Sequence, residues 1–203
     1  MQEGAGYDWG TIVGPISVWT LIGAGVVLML VFVGWQAVTT TEPLVPLSLF
    51  RDRNFTLANL GITTVGFAIT SLVFPIMLWA QTARGLSPTG AALLLAPMAV
   101  LSGVAAPVVG RLINLVHPRI LATTGLGMTA VSLVWMGAAF SADGSVVGVL
   151  LASGLLGVSN AFIWGPMATT ATRDLAMEHA GAGSGVYNTI RQLGAVLGSA
   201  AIT

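Results

Sequence analysis

Six stretches of this chain are long and apolar enough to cross a bilayer, and nothing else in the sequence restricts the fold so strongly. They run at about 14–38, 55–80, 87–110, 120–140, 145–171 and 184–203. A span needs roughly 20 mainly apolar residues. In hydrocarbon every backbone N–H and C=O must be satisfied within the protein, so runs of this length become helices. Composition agrees: 7% of residues are charged, where a soluble domain carries about a quarter. The expected fold is all-α, a polytopic transmembrane helix bundle of about six spans. Short loops predict mostly antiparallel packing of sequence neighbours.

Composition also excludes function classes. The chain has no cysteine, which removes disulfides, thiol catalysis and cysteine-ligated metal. A formal net charge of zero leaves no electrostatic case for nucleic acid. No nucleophile–base pair or metal-ligand cluster is spaced for catalysis, which points away from an enzyme. The glycine-rich stretch Gly181-Ala182-Gly183-Ser184-Gly185 lacks the strand and lysine of a phosphate loop. Met1-Gln2-Glu3 offers no positive flank for a secretory signal, and Asp8 and Trp9 suit a polar loop at a membrane interface. A chain that starts in such a loop and stops at Thr203 in apolar sequence is expected to be cut from a longer one.

Arginine placement predicts orientation, because cytoplasmic loops are enriched in it. Arg51, Arg53, Arg111, Arg119 and Arg173 fall in loops on one side and Arg84 on the other, which places the N-terminus outside in a cell (cytoplasmic) membrane. Trp35, Trp79 and Trp135 lie near span ends, as in an aromatic belt. Between the first two spans, Pro43 and Pro46 break helix, the leucines and Phe50 suit the lipid interface, and Arg51 and Arg53 face anionic headgroups. Asn54 is a candidate N-cap for span two. Span three opens on Ser87-Pro88, a cap followed by proline at the first helical position, and Pro97 and Pro107 are expected to bend it. Pro75 and Pro166 fall at similar depths in spans two and five, a faint sign of an inverted repeat. His117 and His179 read as solvated loop histidines. Gly194 and Gly198, four apart, predict a close helix contact inside the bundle.

Arg191 is the charge that needs a reason. It lies inside the last span with Asn188 and Gln192 on nearly the same face. Either it snorkels to the inner interface, or it faces a central passage and pairs with a carboxylate or an anionic substrate group.

Several motifs then occur together in order. They are Glu42-Pro43-Leu44-Val45-Pro46-Leu47, Leu49-Phe50-Arg51-Asp52-Arg53-Asn54-Phe55, Gly85-Leu86-Ser87-Pro88, and Gly183-Ser184-Gly185 with Asn188-Thr189 and Arg191-Gln192-Leu193-Gly194. Their order and spacing resemble the C-terminal half of fourteen-helix drug:proton antiporters of the major facilitator superfamily. The resemblance implies residues 1–38 as an outer loop and central extra helix, 39–54 as a cytoplasmic linker, and 55–203 as a C-terminal bundle lacking its last helix. Gly110, Arg111, Asn114 and Arg119 would form the inner-loop gate, with Gly110 permitting close helix approach. Asn114 and Leu115 replace the usual acid and base there, and His117-Pro118 replaces a glycine region.

By that family's helix order, spans two, three, five and six line a cavity and span four is peripheral. Phe67, Phe74, Met77, Met98, Asn160 and Trp164 become the candidate lining. Aromatic and methionine surface suits a small hydrophobic or cationic substrate. The implied activity is multidrug efflux by proton antiport and alternating access, with the lipid bilayer and a missing N-terminal transporter half as partners. No cofactor is implied beyond a proton gradient. The six spans contain no acid, so the coupling carboxylate is expected in that other half. A transporter of a polar metabolite and a non-transporting membrane scaffold are the alternatives.

Overall fold

The computed structural model describes residues 11–13, 16–39, 45–140 and 144–202. Glu3, Asp8, Trp9, Glu42 and Pro43 lie outside the described residues. Among the described residues a short antiparallel pair, β1 (Thr11–Val13) and β2 (Ile16–Ser17), precedes seven α-helices: α1 (Val18–Val38), α2 (Arg53–Thr82), α3 (Pro88–Leu93), α4 (Ala96–Leu112), α5 (Pro118–Ala139), α6 (Val146–Thr172) and α7 (Ala180–Ala200). Five stretches among the described residues are long and apolar enough to cross a membrane: α1, α2, α3 with α4, α5 and α6. The sixth expected span, α7, has 21 residues and so the length to cross, but Ser184, Asn188, Arg191 and Gln192 make it amphipathic.

Local chemistry explains the boundaries. Ser87 caps α3 as expected, its hydroxyl accepting the Gly90 N–H at 3.1 Å. Span three is broken at Leu94–Leu95 rather than merely bent. Pro97 lacks an N–H and its ring clashes with the carbonyl four residues back, at Leu93, where α3 stops. Pro75, Pro107 and Pro166 stay inside continuous helices. The cap of α2 is Asp52, whose carboxylate accepts the Phe55 N–H at 2.7 Å, so Asn54 is not the cap; its side chain reaches other segments instead.

Expected antiparallel neighbours account for only part of the packing. α5 and α6 do run antiparallel, tied by the Ser132 hydroxyl on the Ala152 carbonyl at 2.7 Å and by Ser159 on the Gly125 carbonyl at 3.0 Å, with the Thr129 and Ser159 hydroxyls in contact. The other extensive contacts join non-consecutive, parallel helices: α2 with α7 and α4 with α6. Missing Cβ atoms permit them. Gly157 sits against the Met98 backbone, Gly194 against Thr63, and Gly198 against Phe67. The Thr70 hydroxyl donates to the Ala195 carbonyl and Ser71 to the Gly198 carbonyl, each at 3.0 Å. The Gly194–Gly198 pair is therefore an internal packing face, as its spacing predicted.

Two apolar clusters hold the ends. One gathers Phe55, Ile62, Ile163, Met167, Val186 and Tyr187 from α2, α6 and α7, together with Leu49 from the linker. The other gathers Ile76, Trp79, Leu94, Met136 and Val149. Trp79 is thus core rather than belt: its ring lies 5.7 Å from Phe140 and the Arg84 guanidinium stacks 5.2 Å from its centroid. Trp35 and Trp135 are exposed, as a belt requires. Along α1 only Val18 and Gln36 are buried, and the Gln36 side-chain oxygen Oε1 accepts the Val45 N–H at 3.0 Å.

Candidate functional site

A cleft of about 450 Å³ lies between α6 and α7, lined by Trp164, Thr169 and Thr172 on one side and Ser184, Tyr187, Asn188 and Arg191 on the other. The Arg191 guanidinium stands 5.1 Å from the centre of the Trp164 ring. Such a stack contributes roughly 0.5–2 kcal/mol. Both partners of the stack lie well inside their helices. Arg191 is eleven residues beyond Ala180, where α7 begins, or about 16 Å along the axis. Trp164 is eight residues from the end of α6 at Thr172, or about 12 Å. The Arg191 side chain lies across an aromatic face of the neighbouring helix.

The cleft is also incompletely satisfied. The Arg191 Nε and the Tyr187 hydroxyl are shielded from solvent and have no hydrogen-bond partner among the described residues. Leaving such a group unpaired costs about 1–3 kcal/mol. No described α-helix carries Asp or Glu, so nothing within them neutralises the guanidinium. The cleft itself presents the Arg191 and Asn188 side chains beside a flat aromatic wall.

Of the candidates read from sequence, the structure brings Trp164, Asn188 and Arg191 together here and disperses the others. Gln192 is exposed and outside the cleft wall. Asn160 is one turn from Trp164 but buried, 7% exposed. Phe67 and Phe74 are exposed on α2, Met77 packs against the second apolar cluster, and Met98 lies under Gly157. Tyr187, Thr169 and Thr172 were not anticipated. The signal for Tyr187 was its place four residues before Arg191, on one helix face.

The gate residues divide similarly. A Cβ at Gly110 would meet nothing within 4 Å, so among the described residues no helix approaches closely there, contrary to expectation. Arg111 and Asn114 are exposed. Arg119, by contrast, donates from Nη2 to the Asn54 Oδ1 at 2.7 Å, and Asn54 Nδ2 donates to Asp174 Oδ2 at 2.6 Å. One asparagine bridges the starts of α2 and α5 to the segment after α6.

A comparison of the chain with protein families matches the Major Facilitator Superfamily over residues 4–199. The chain belongs to that superfamily. Among its relatives is an uncharacterized MFS-type transporter of Mycobacterium tuberculosis, 42% identical over 202 residues, which is 100% of this chain and 34% of the relative. Multidrug resistance protein Stp of Mycobacterium tuberculosis is 30% identical, covering 96% of this chain and 37% of Stp. Probable multidrug resistance protein EmrY of Escherichia coli is 25% identical, covering 98% of this chain and 38% of EmrY. The chain thus spans between a third and two fifths of the length of these superfamily members. No solved structure gives a significant match. With its apolar helices, this superfamily member is a multi-pass membrane protein, and relatives named for drug resistance agree with the resemblance read from its motifs.

Proposed function

We propose that the chain forms part of a proton-driven exporter of small hydrophobic molecules, with the α6–α7 cleft as one wall of its substrate passage. The observation that carries this reading is Arg191 stacked on Trp164, well inside two helices, in a cleft large enough for a drug-sized ligand. A charge held there is costly and marks a pathway more often than a structural contact. The drug-resistance names of several relatives support the same reading. Transport would proceed by rocking this bundle against a second one, supplied from outside this chain, about a midplane site. The coupling carboxylate must also come from outside the described helices. A cationic substrate would need that acid beside Arg191, whereas a neutral one would not.

The arginine distribution supports a cytoplasmic-membrane location with the N-terminus outside. Because the chain has no cysteine, single cysteines at Ser145 and Arg173 report the two faces by labelling of intact cells. The reading expects Ser145→Cys to label and Arg173→Cys to remain protected.

The test of export is expression of the complete gene in a host lacking its own pumps, with uptake of a neutral lipophilic dye followed by fluorescence. Dye accumulation should fall, a protonophore should restore it, and Trp164→Ala or Arg191→Gln should raise it. Equal accumulation with and without the gene would overturn the reading. The unpaired Arg191 Nε and Tyr187 hydroxyl favour a second reading, a polar or anionic metabolite in the same cleft. Competition of dye efflux by small carboxylates separates the two.

A further inference from the structure

A second cleft, of about 380 Å³, lies between α2, α5 and α6, away from the Arg191 site. Its polar end holds Arg53, the first residue of α2, and Arg119, the second of α5. The hydrogen bond from Arg119 to Asn54 sets the two helix starts side by side. Its depth is walled by Leu57, Leu126 and Met167. Leu126 is seven residues beyond Arg119, so the apolar wall extends about 10 Å from the charged end. Leu57 is 53% exposed and Leu126 38%, so the cleft opens along its side onto the bundle surface.

No acid lines it. The nearest carboxylates stay outside its wall, Asp52 accepting the Phe55 N–H and Asp174 accepting from Asn54 in the adjoining cleft that Arg119 also lines. Arg53 has no hydrogen bond or ion pair among the described residues. Two guanidinium groups therefore converge where an apolar channel begins, and the start of α5 adds partial positive charge; the start of α2 is already capped by the Asp52 carboxylate. We infer that this cleft is a binding site for one anionic phospholipid of the leaflet at the arginine-rich end. The phosphate sits between Arg53 and Arg119 and an acyl chain lies along Leu57 and Leu126. A water-soluble anion would use the charged end and leave the apolar length empty; a zwitterionic lipid would fill the length but bring a cation of its own to the two guanidinium groups. Membrane depth favours the lipid, since the site begins at a span's start, where headgroups meet tails.

Every residue named here belongs to this chain, and the inference does not depend on the export reading. The purified 203-residue chain in neutral detergent, incubated with phosphatidylglycerol or phosphatidylcholine of equal chain length, is read by native mass spectrometry. Phosphatidylglycerol should be retained several-fold over phosphatidylcholine. Arg53→Gln should lower that retention about fivefold, the weight of one basic residue at a membrane surface. Arg51→Gln, an equal loss of charge outside the cleft, should lower it far less. Leu126→Trp fills the channel without altering charge and should also lower retention. The inference is overturned by equal retention of both lipids, by equal effects of Arg51→Gln and Arg53→Gln, or by full retention in Leu126→Trp. Displacement of the lipid by glycerophosphoglycerol at equal concentration would overturn it too, since a site that needs no tail is an anion site.

Discussion

Replacing Gly194 by alanine should force α7 away from α2. A Cβ at that position would fall on the Thr63 carbonyl oxygen and lie 2.8 and 2.9 Å from the Thr63 Cα and carbonyl carbon. Carbon atoms pack at about 3.5–4.0 Å, so the helices must part by roughly 1 Å. The hydrogen bonds from Thr70 to Ala195 and from Ser71 to Gly198, both 3.0 Å, would then stretch to about 4 Å and be lost. Interhelical bonds of this kind average about 0.6 kcal/mol each in membranes, and overpacking costs about 1–3 kcal/mol. Alanine's better helix propensity offsets about 1 kcal/mol. The net loss is about 1–3 kcal/mol, readable by SDS titration of the chain in mixed micelles, followed by circular dichroism. Gly185, on the same helix, has nothing within 4 Å of its Cβ position, so Gly185→Ala should be neutral or slightly stabilising. Equal midpoints for Gly194→Ala and Gly185→Ala would refute the reasoning.

In the same titration, a double-mutant cycle between Trp164→Leu and Arg191→Gln should give a coupling of about 0.5–2 kcal/mol; independent effects would mean that the stack contributes nothing. Asn54→Ala breaks both arms of the bridge to Arg119 and Asp174. The groups are solvent-accessible, so the stability loss should stay under about 1 kcal/mol, but hydrogen–deuterium exchange should quicken between residues 172 and 179, and unchanged exchange counts against the bridge. Ser159→Ala removes a buried contact with Thr129 and the Gly125 carbonyl and should cost about 0.6–1.7 kcal/mol. Ser184→Ala loses only a bond within its own helix and should cost almost nothing; equal losses would discount the interhelical contact.

The spans were legible because the bilayer imposes a length and an apolarity that sequence displays directly. Ser87 and the Gly194–Gly198 pair were legible for a similar reason: a cap and a small-residue face are local patterns. Asn54 was not, because Asp52 and Asn54 are both good caps two residues apart, and the partners that draw Asn54 away are 65 and 120 residues distant. Trp79 near a helix end fits belt and core equally well, and only the approach of Phe140 distinguishes them. The parallel pairing of α2 with α7 and of α4 with α6 is invisible to loop length, since the decisive contacts are glycines meeting backbones far away in sequence. Trp164, Asn188 and Arg191 were found from residue chemistry, but Tyr187 became part of the cleft only once α6 was set beside α7.

The unequal packing of these helices also predicts where the bundle yields. Contacts are extensive within the trio α4, α5 and α6 and within the pair α2 and α7, and thinner between α6 and either member of the pair. Glycine-to-backbone contacts lock both groups internally, at Gly157 in the trio and at Gly194 and Gly198 in the pair, and close-packed elements resist shear. Displacement therefore costs least along the seam between them. The cleft at Trp164 and Arg191 lies on that seam, and so does the Asn54 bridge, which joins α2 to α5 and to the segment after α6. A ligand that displaced Arg191 from Trp164 would push the pair from the trio at one level while the bridge held them at another. Spin labels on the cysteine-free chain test this directly. A label at Val131 of α5 paired with one at Leu193 of α7 should give a broader distance distribution than the same label paired with Leu151 of α6, all three being exposed positions. Asn54→Ala should broaden only the first. Distributions of equal width before and after that substitution would mean that the bundle is a single rigid unit and that the seam has no mechanical meaning.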